Sequence, residues 1–468
     1  MTSFLTPSTA AADTSQTLAT DQFTAAMRLA LSVGIVVAFY LAVPAVTHGA
    51  EPWTLDRAVA AALKNSPDAR IARQRSEGAE AMIEQARSAW LPQVSVSGRY
   101  MDTNSPMMAF GSILNQRAFN FALDFNHPGR IDDLNATGTV AYNLYSGGRA
   151  SAGLSAAKSG ALAAEQDLLA AQQQLGRDVV KAYLSIRKAR EAVGAIETGV
   201  KAYEAAVAAA RARFDAGQML KSDLLSLEVQ LAQTQENLSA ARHGAALTER
   251  AFRFVLGIDA SAEAVELAAD DPAVAGLAMP ETGDFSQRPE LAGLRERIRA
   301  AEGMVRAARG GHLPTVNAFA SYQYDQGWQL DHHGDSWMAG VSVDLNVFDG
   351  GQTSGKIRQA RAELAQVKEM LRKAELGIGM EVEQARLAHE DAVERLAVNA
   401  RAVEQAEESA TLTRARFEKG AVLIADLIGI EGRLIEARMR HAVAAADERI
   451  ALAELRCALG LPLFTSTL

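Results

Sequence analysis

The sequence offers few side chains whose types and spacing could perform chemistry. The strongest candidate for a metal site is a group of acidic and histidine residues, namely Asp331, His332, His333 and Asp335. They fall between two predicted strands, and we favour a solvated external turn over a metal centre. Copper binding through thioethers is a second possibility, and it would involve Met101, Met107 and Met108.

Complete catalytic motifs are missing from the sequence. It has no Gly-x-Ser-x-Gly elbow, Walker phosphate loop, His-Glu-x-x-His zinc motif or dinucleotide-binding fingerprint. The single cysteine, Cys457, excludes a disulfide framework and any cysteine-based zinc or iron–sulfur centre. Acidic residues outnumber basic ones by 56 to 47, which argues against nucleic acid as a partner because phosphates attract a basic surface. We therefore expect neither enzymatic activity nor a cofactor.

One short motif occurs twice and is the most informative feature of the sequence. A basic residue, an aromatic residue, a glycine and an acidic residue follow one another at the same spacing in both halves of the chain. They are Arg213, Phe214, Gly217 and Asp223, and then Arg416, Phe417, Gly420 and Asp426. Glycine lets the backbone turn between antiparallel helices, and an aromatic ring can anchor a partner. Turn formation alone is the alternative interpretation for the glycines, and helix capping is the alternative for Asp223.

Further matches indicate that the whole chain is a tandem duplication. The segment from Asn143 to Arg149 resembles the one from Asn346 to Gln352 at an offset of 203, whereas Pro92 matches Pro314 at an offset of 222. The 19-residue difference lies between Pro92 and Asn143, so one loop is longer in the first copy. We predict a first repeat over 51–260, a connecting segment over 261–287, a second repeat over 288–463 and a tail over 464–468.

Each repeat is predicted to contain a short helix, two strands, a very long helix and a return helix. In the first repeat the helices cover about 67–90, 147–214 and 221–257, and the last two show a seven-residue apolar period. A helix of 68 residues is about 100 Å long, which is far too long for a globular core. The two shorter helices together nearly equal this length, so we predict that they lie along it as one broken partner. A flexible coiled-coil stalk is the alternative.

Four segments alternate between apolar and polar residues and are predicted to be strands. They cover about 93–101 and 138–145 in the first repeat, and 315–324 and 337–347 in the second. Their length suits tilted strands in a bilayer, and no amphipathic helix is left over to cover them. Soluble hairpins packed on a helix are the alternative. A membrane sheet must close and four strands are too few, so we predict a barrel shared within a cyclic homo-oligomer.

The N-terminal region contains the only long apolar segment without charge. It covers residues 29–46, follows Met27-Arg28 and ends in small residues. This pattern is typical of a secretory signal peptide, which we assign to residues 1–50, with a single transmembrane anchor as the alternative. Because the 26 residues before Met27 contain no basic residue, we interpret them as a misassigned extension. The mature protein is predicted to be exported.

Taken together, these features resemble the TolC-like outer-membrane efflux factor family. The resemblance rests on the signal peptide, the duplication, the Asn-Leu-Tyr-Ser-Gly-Gly-Arg segment at 143–149 and the two Arg-Phe-x-x-Gly-x5-Asp-Leu tips, and it covers residues 53–463. It implies a mainly α fold with a small β part. In that fold, duplicated antiparallel coiled-coil helices form an α-barrel, and four strands per chain join a shared trimeric 12-stranded transmembrane β-barrel.

The same resemblance implies a function and partners. It implies a homotrimeric exit duct that lies in the lipid of the outer membrane and extends into the periplasm. Such a duct serves an inner-membrane RND or ABC transporter through a periplasmic adaptor (membrane fusion) protein. The adaptor-docking motif is matched by Arg213, Phe214 and Gly217 in the first tip and by Arg416, Phe417 and Gly420 in the second. Asp426, and Asp223 by equivalence, match a carboxylate at the periplasmic entrance, although Gly429 stands where a second acid is expected. A soluble periplasmic coiled-coil adaptor or scaffold is the alternative function.

Overall fold

The computed structural model describes residues 52–124, 126–259, 265–269 and 284–461. The predicted signal peptide, most of the connecting segment and the predicted tail lie outside these residues. The chain divides into two units, Met1–Pro52 and Trp53–Leu468, and the fold is that of the second unit.

The first repeat begins with two short helices, α1 (Leu55–Asn65) and α2 (Pro67–Ser88). Strand β1 (Gln93–Thr103), helix α3 (Pro106–Asn115) and strand β2 (Ile131–Tyr145) follow. The long helix α4 (Arg149–Asp215) and the return helix α5 (Lys221–Leu256) complete the repeat. Proline is the first residue of α2 and α3, where its fixed φ and missing N–H are tolerated.

The second repeat has the same order of long elements. Helix α6 (Pro289–Arg309) leads through a short 3₁₀ turn (Gly310–His312) into strands β3 (Thr315–Gly327) and β4 (His332–Asp344). Helices α7 (Gln352–Glu418) and α8 (Ile424–Ala458) follow. Both α4 and α7 contain 67 residues, which corresponds to about 100 Å. The predicted duplication of a very long helix is therefore confirmed.

The predicted broken partner is also confirmed. Helices α2 and α5 both pack along α4, and α6 and α8 pack along α7. Helix α4 also contacts α6 and α8, and these contacts join the two repeats. Small residues allow close packing there: a Cβ added at Gly303 of α6 would lie 2.9 Å from the Cβ of Ala156 in α4.

Helix α1, which the sequence analysis did not predict, packs against α2, α4 and α5. Its buried residues include Leu55 and Ala58, and they share a core with Tyr183 and Phe252. The Tyr183 hydroxyl donates a hydrogen bond of 3.1 Å to the carbonyl oxygen of Trp53. This aromatic cluster fixes the start of the first repeat against the long helix.

The four strands form one antiparallel sheet in the order β1-β2-β3-β4. Strand β2 begins at Ile131, well before the predicted residue 138, and β4 covers His332–Asp344 instead of 337–347. His332, His333 and Asp335 therefore lie in β4, and only Asp331 lies in the turn. Within the described ranges, no group of three or more acidic, histidine or cysteine residues is arranged to hold a metal ion.

Helix α3, which the sequence analysis did not predict, packs at one end of the sheet. It lies in the longer loop of the first repeat, and its Ala109 and Ile113 pack against Ile131 at the start of β2. The helix has only ten residues, too few for a clear apolar period in the sequence. Among the helices that the structure describes, none combines the length and the apolar character needed to cross a membrane.

Candidate functional site at the helical tips and the sheet

Each helical tip is a tight turn built around glycine. Gly217 and Gly420 have φ values of +73° and +71°, in the left-handed region that glycine adopts without steric cost. In the first tip, the N–H of Gln218 donates to the carbonyl of Arg213 and that of Gly217 to the carbonyl of Phe214, both at 2.8 Å. The second tip repeats this pair of bonds, which satisfies the last carbonyl groups of the helix. The two glycines therefore have a structural role in the turn.

Motif residues of one tip contact those of the other. The Nη1 atom of Arg213 donates a hydrogen bond of 3.1 Å to the carbonyl oxygen of Phe417, and its guanidinium carbon lies 5.7 Å from the centre of the Phe417 ring. Phe417 is only 3% exposed and packs with Leu224 and Leu427. Phe214 is partly buried and Arg416 is exposed. Phe417 thus holds the two tips of one chain together.

Two leucines at equivalent positions are the most exposed apolar side chains of the tips. Leu220 is 69% exposed and Leu423 is 73% exposed. They contribute to a groove of about 290 Å³ between the tips, which Arg213, Met219 and Val422 also line. The sequence analysis missed both leucines, although each follows its tip glycine by three residues. Their exposure at the end of the molecule marks a surface that a partner could cover.

One ion pair occurs in both repeats but in different surroundings. Arg211 and Glu228 join α4 to α5 at 2.6 Å, with side chains 64% and 33% exposed. The equivalent residues Arg414 and Glu431 join α7 to α8 through two hydrogen bonds, and Glu431 is only 2% exposed. The bond with Glu431 raises the pKa of Arg414 above its usual value. The second pair therefore has a buried carboxylate, whereas its Arg414 side chain is 42% exposed.

Tyr203 lies beside this buried pair and has no aromatic counterpart in the second repeat. Its hydroxyl donates a hydrogen bond of 3.0 Å to the carbonyl oxygen of Ile428, and so links α4 to α8. Burial, and then the charge of Glu431, raise the pKa of Tyr203 to about 12. The hydroxyl therefore stays protonated and can donate throughout the physiological pH range.

Asp223 and Asp426 occupy the first turns of the return helices. Asp223 is half-buried and Asp426 is exposed. The N-cap positions belong to Leu220 and Leu423, and neither helix has a side-chain cap bond at its start. Asp223 is thus not the capping residue, but both carboxylates stabilise the positive end of the helix dipole. Asp426 presents its charge to solvent at the tip.

The register of the sheet separates an apolar face from a polar one. Val94, Val140, Ala320 and Ala339 stand opposite one another across the four strands. A row on the other face consists of Ser97, Thr137, Gln323 and Ser336. On the polar face, the Asn143 amide also donates a 3.0 Å hydrogen bond to Asn317. The predicted alternation thus produces one continuous apolar surface.

The apolar face is exposed in the part of the chain that the structure describes. Val96 is 83% exposed, Val341 is 64% exposed, and Trp337 is 77% exposed opposite Tyr322. Strands β1 and β4 form the two edges, and within the described part of the chain each pairs with one neighbour only. A sheet with one exposed apolar face and two free edges requires further partners.

The single cysteine gives a simple check of the packing at the end of α8. Burial raises the pKa of the Cys457 thiol to about 11, although Arg177 and Arg288 act in the opposite direction. Since the thiolate is the reactive form, we expect maleimide to modify Cys457 at least about tenfold more slowly at pH 7.5 than a free cysteine of pKa near 8.5, even after allowing for the greater nucleophilicity of a more basic thiolate. Mass spectrometry would compare it with a Phe121→Cys variant, because Phe121 is 94% exposed. Equal labelling rates would contradict the buried environment.

Comparisons with known proteins agree with this architecture. Paired 67-residue helices and a four-stranded sheet with one apolar face form the fold of TolC-like channels. The crystal structure of the outer membrane protein VceC from Vibrio cholerae has a TM-score of 0.72 at 19% identity, and the match covers 88% of this chain and 97% of VceC. Residues 58–258 and 285–461 match the outer membrane efflux protein family, and the chain belongs to this family.

Two relatives show the extent of the sequence similarity. The outer membrane efflux protein BepC of Brucella suis is 25% identical over 253 residues, which is 50% of this chain and 53% of BepC. The match thus spans about half the length of BepC. The outer membrane protein TolC of Vibrio cholerae is 24% identical over 403 residues, which is 83% of this chain and 86% of that protein.

Proposed function

We propose that three copies of this chain form a passive exit duct through the outer membrane. The observation that carries this proposal is the sheet, whose apolar face is exposed and whose two edges are unpaired among the described residues. A bilayer would cover the apolar face, and neighbouring copies would pair with the edges. The polar face would then line a water-filled lumen, which the long helices continue into the periplasm after export through the signal peptide over residues 1–50.

The edges favour a closed ring. Strand β1 of one copy would pair with β4 of the next, a head-to-tail contact that repeats around a rotation axis. Membership of the outer membrane efflux protein family supports three copies and hence 12 strands. Each copy then contributes the same four strands, and no edge is left in the hydrocarbon region.

Exposed apolar residues on one face of the long helix α7 also support the ring. Leu376, Met380, Leu387 and Val398 are between 53% and 74% exposed. On α5, Val229, Leu247 and Phe254 are between 66% and 82% exposed. We infer that α7 of one copy packs against α5 of its neighbour, so that the helices close into a tunnel wall like the strands.

The tips are proposed to form the periplasmic entrance. The exposed leucines Leu220 and Leu423 would dock a periplasmic adaptor, which connects the duct to an inner-membrane RND or ABC transporter. The turns that present them are shaped by the motif residues Arg213, Phe214, Gly217, Arg416, Phe417 and Gly420. Three copies of Asp426 would place a ring of carboxylates at the entrance, which favours cations. Gly429 is exposed one turn further along and adds no second ring.

Conduction and extraction test the duct. We expect the protein to stay in the membrane fraction until detergent is added, and the purified trimer to conduct ions in planar bilayers. A control barrel protein in the same bilayers shows that the conditions permit insertion. Release into buffer without detergent would instead identify a soluble coiled-coil adaptor.

The docking surface is tested by charging the exposed leucines. We expect the Leu220→Asp, Leu423→Asp double variant to lose export while its trimers remain intact, because an apolar interface must bury two unpaired carboxylates. The Leu220→Met, Leu423→Met variant keeps the apolar surface and should keep export. Export is measured as resistance to a cargo of the native system, and trimers by native electrophoresis. Normal export by the aspartate variant would contradict docking at these side chains.

A further inference from the structure

Helix α3 lies against the polar face of the sheet, at the end away from the long helices. The Nε2 atom of Gln116, just past the end of α3, donates hydrogen bonds to the Asp133 carboxylate at 2.9 Å and to the Asp132 carbonyl at 2.8 Å. Asp133 alternates in phase with Thr137 and therefore belongs to the polar face. Gln116 is fully buried in this contact. The loop is thus folded over the polar face.

Two strand glycines permit this close approach. A Cβ added at Gly334 of β4 would overlap the carbonyl oxygen of Asn115, the last residue of α3. A Cβ added at Gly327 of β3 would overlap the Gln116 side chain. Contacts to β2, β3 and β4 therefore fix the helix in one position, with its backbone against the strands.

The opposite face of α3 is apolar and is not covered by any part of the chain that the structure describes. Met107 is 80% exposed, and Met108 and Leu114 are 47% and 45% exposed. The residues that face the sheet, Ala109, Ser112 and Ile113, are buried. In the proposed duct, the exposed face of α3 points from the wall towards the axis.

The size of a 12-stranded barrel determines what this face would meet. Strands about 4.8 Å apart and tilted by about 40° give a backbone diameter of roughly 24 Å. A helix on the inner wall projects about 10 Å towards an axis that is about 12 Å away. Three such helices would leave a central gap of only a few ångström, so their apolar faces would contact one another.

We propose that the three α3 helices meet around the axis and constrict the outer mouth of the duct. This proposal rests on the trimeric duct proposed above. In that trimer, the apolar face of each α3 is covered by the α3 helices of the other two copies. The constriction would limit the size of solutes that enter from outside, independently of any closure at the periplasmic tips.

Labelling from the outside of intact cells tests the constriction. Ser321 lies on the polar face, six residues along β3 from Gly327. With strands tilted by about 40°, it lies about 15 Å deeper in the barrel than Gly327. A Ser321→Cys variant is treated with membrane-impermeant maleimides carrying polyethylene glycol of increasing size. We expect the larger reagents to be excluded, whereas a cysteine at Asp331, in the exposed turn between β3 and β4, should react with all of them.

Two changes should open the mouth. The first change replaces residues 104–130 with the four-residue turn that joins β3 to β4, Trp328–Asp331. The register supports this swap, because the strand ends that the two loops connect are paired in the same way: Thr103 with Ile131, and Gly327 with His332. The other is Gly334→Ala, with Gly98→Ala as its matched control because a Cβ at Gly98 meets nothing within 4 Å. We expect both opening variants, but not the control, to raise labelling of Ser321→Cys by large reagents about tenfold.

The outcomes separate this proposal from the duct itself. If large reagents label Ser321→Cys equally well in the protein with the unaltered loop and in the protein with the swapped loop, and both form intact trimers, there is no constriction. If even the smallest maleimide fails to reach Ser321→Cys in the swapped variant, while a cysteine at the exposed turn residue Asp331 reacts in that variant, the polar face does not line a lumen. That second result would overturn the duct and the constriction together.

Discussion

Replacing Arg414 with methionine is expected to destabilise the tip of α7 and α8 by about 3 kcal/mol, because Glu431 would remain buried without a cation. Glu431 is 2% exposed, and Arg414 Nη2 donates to its Oε2 atom at 2.6 Å. Loss of one partner from a buried ion pair typically costs about 3–5 kcal/mol. The lower value applies here because the Arg414 side chain is itself 42% exposed, and water can enter when it is removed.

The duplicated chain supplies a matched control for this prediction. Arg211→Met breaks the equivalent pair with Glu228, but that pair is largely open to solvent. Exposed ion pairs contribute less than about 1 kcal/mol, so the stability of the tip in this variant should be close to that of the unaltered protein. Hydrogen exchange of the tip amides reports the local free energy of opening in both variants. Equal losses of protection would show that the burial of Glu431 does not determine the stability of the tip.

The long helices could be predicted from the sequence because several local signals agree. The predicted range 147–214 differs from α4 by two residues at its start and one at its end. The seven-residue period defines the helix, and glycines with positive φ at positions 148 and 217 define its ends. The strands were predicted for a similar reason, since alternation fixes which residues share a face. Their ends were less accurate because polar residues such as Asp132 and Asp133 interrupt the alternation.

The contacts between repeats could not be predicted in this way. Both tips carry the same motif, yet Phe417 is buried beneath Arg213 whereas Phe214 is only partly buried and Arg416 is exposed. Identical spacing gives identical local turns but does not show which tip packs onto the other. The role of Leu220 and Leu423 was hidden for the same reason, because exposure depends on tertiary packing.

Helices α1 and α3 were missed because they are short, with 11 and 10 residues. A short helix depends on its tertiary contacts for stability, and periodicity over so few residues is weak. The position of α3 depends on two glycines in strands more than 200 residues further along the chain. Only the folded chain brings these residues together.

A second large effect is expected where β2 joins α4. Gly147→Ala should destabilise the chain by about 3 kcal/mol or more, because the new Cβ meets two obstacles at once. The backbone of Gly147 has a φ of +65°, and a Cβ there would lie 2.5 Å from the carbonyl oxygen of Gly310 and 3.0 Å from the Cβ of Leu313. Both neighbours belong to the segment that joins α6 to β3, so relief of the clash would separate the two repeats at the base of the sheet.

The neighbouring glycine distinguishes the clash from backbone strain. Gly148 has a φ of +76°, but a Cβ there meets nothing within 4 Å. Gly148→Ala should therefore cost only about 1 kcal/mol for the left-handed conformation. Trimer yield in the membrane and the denaturant midpoint of purified trimers measure both variants. Since the two substitutions are chemically identical and adjacent, a lower stability of Gly147→Ala alone would assign the effect to its contact with Gly310, and equal stability would contradict that contact.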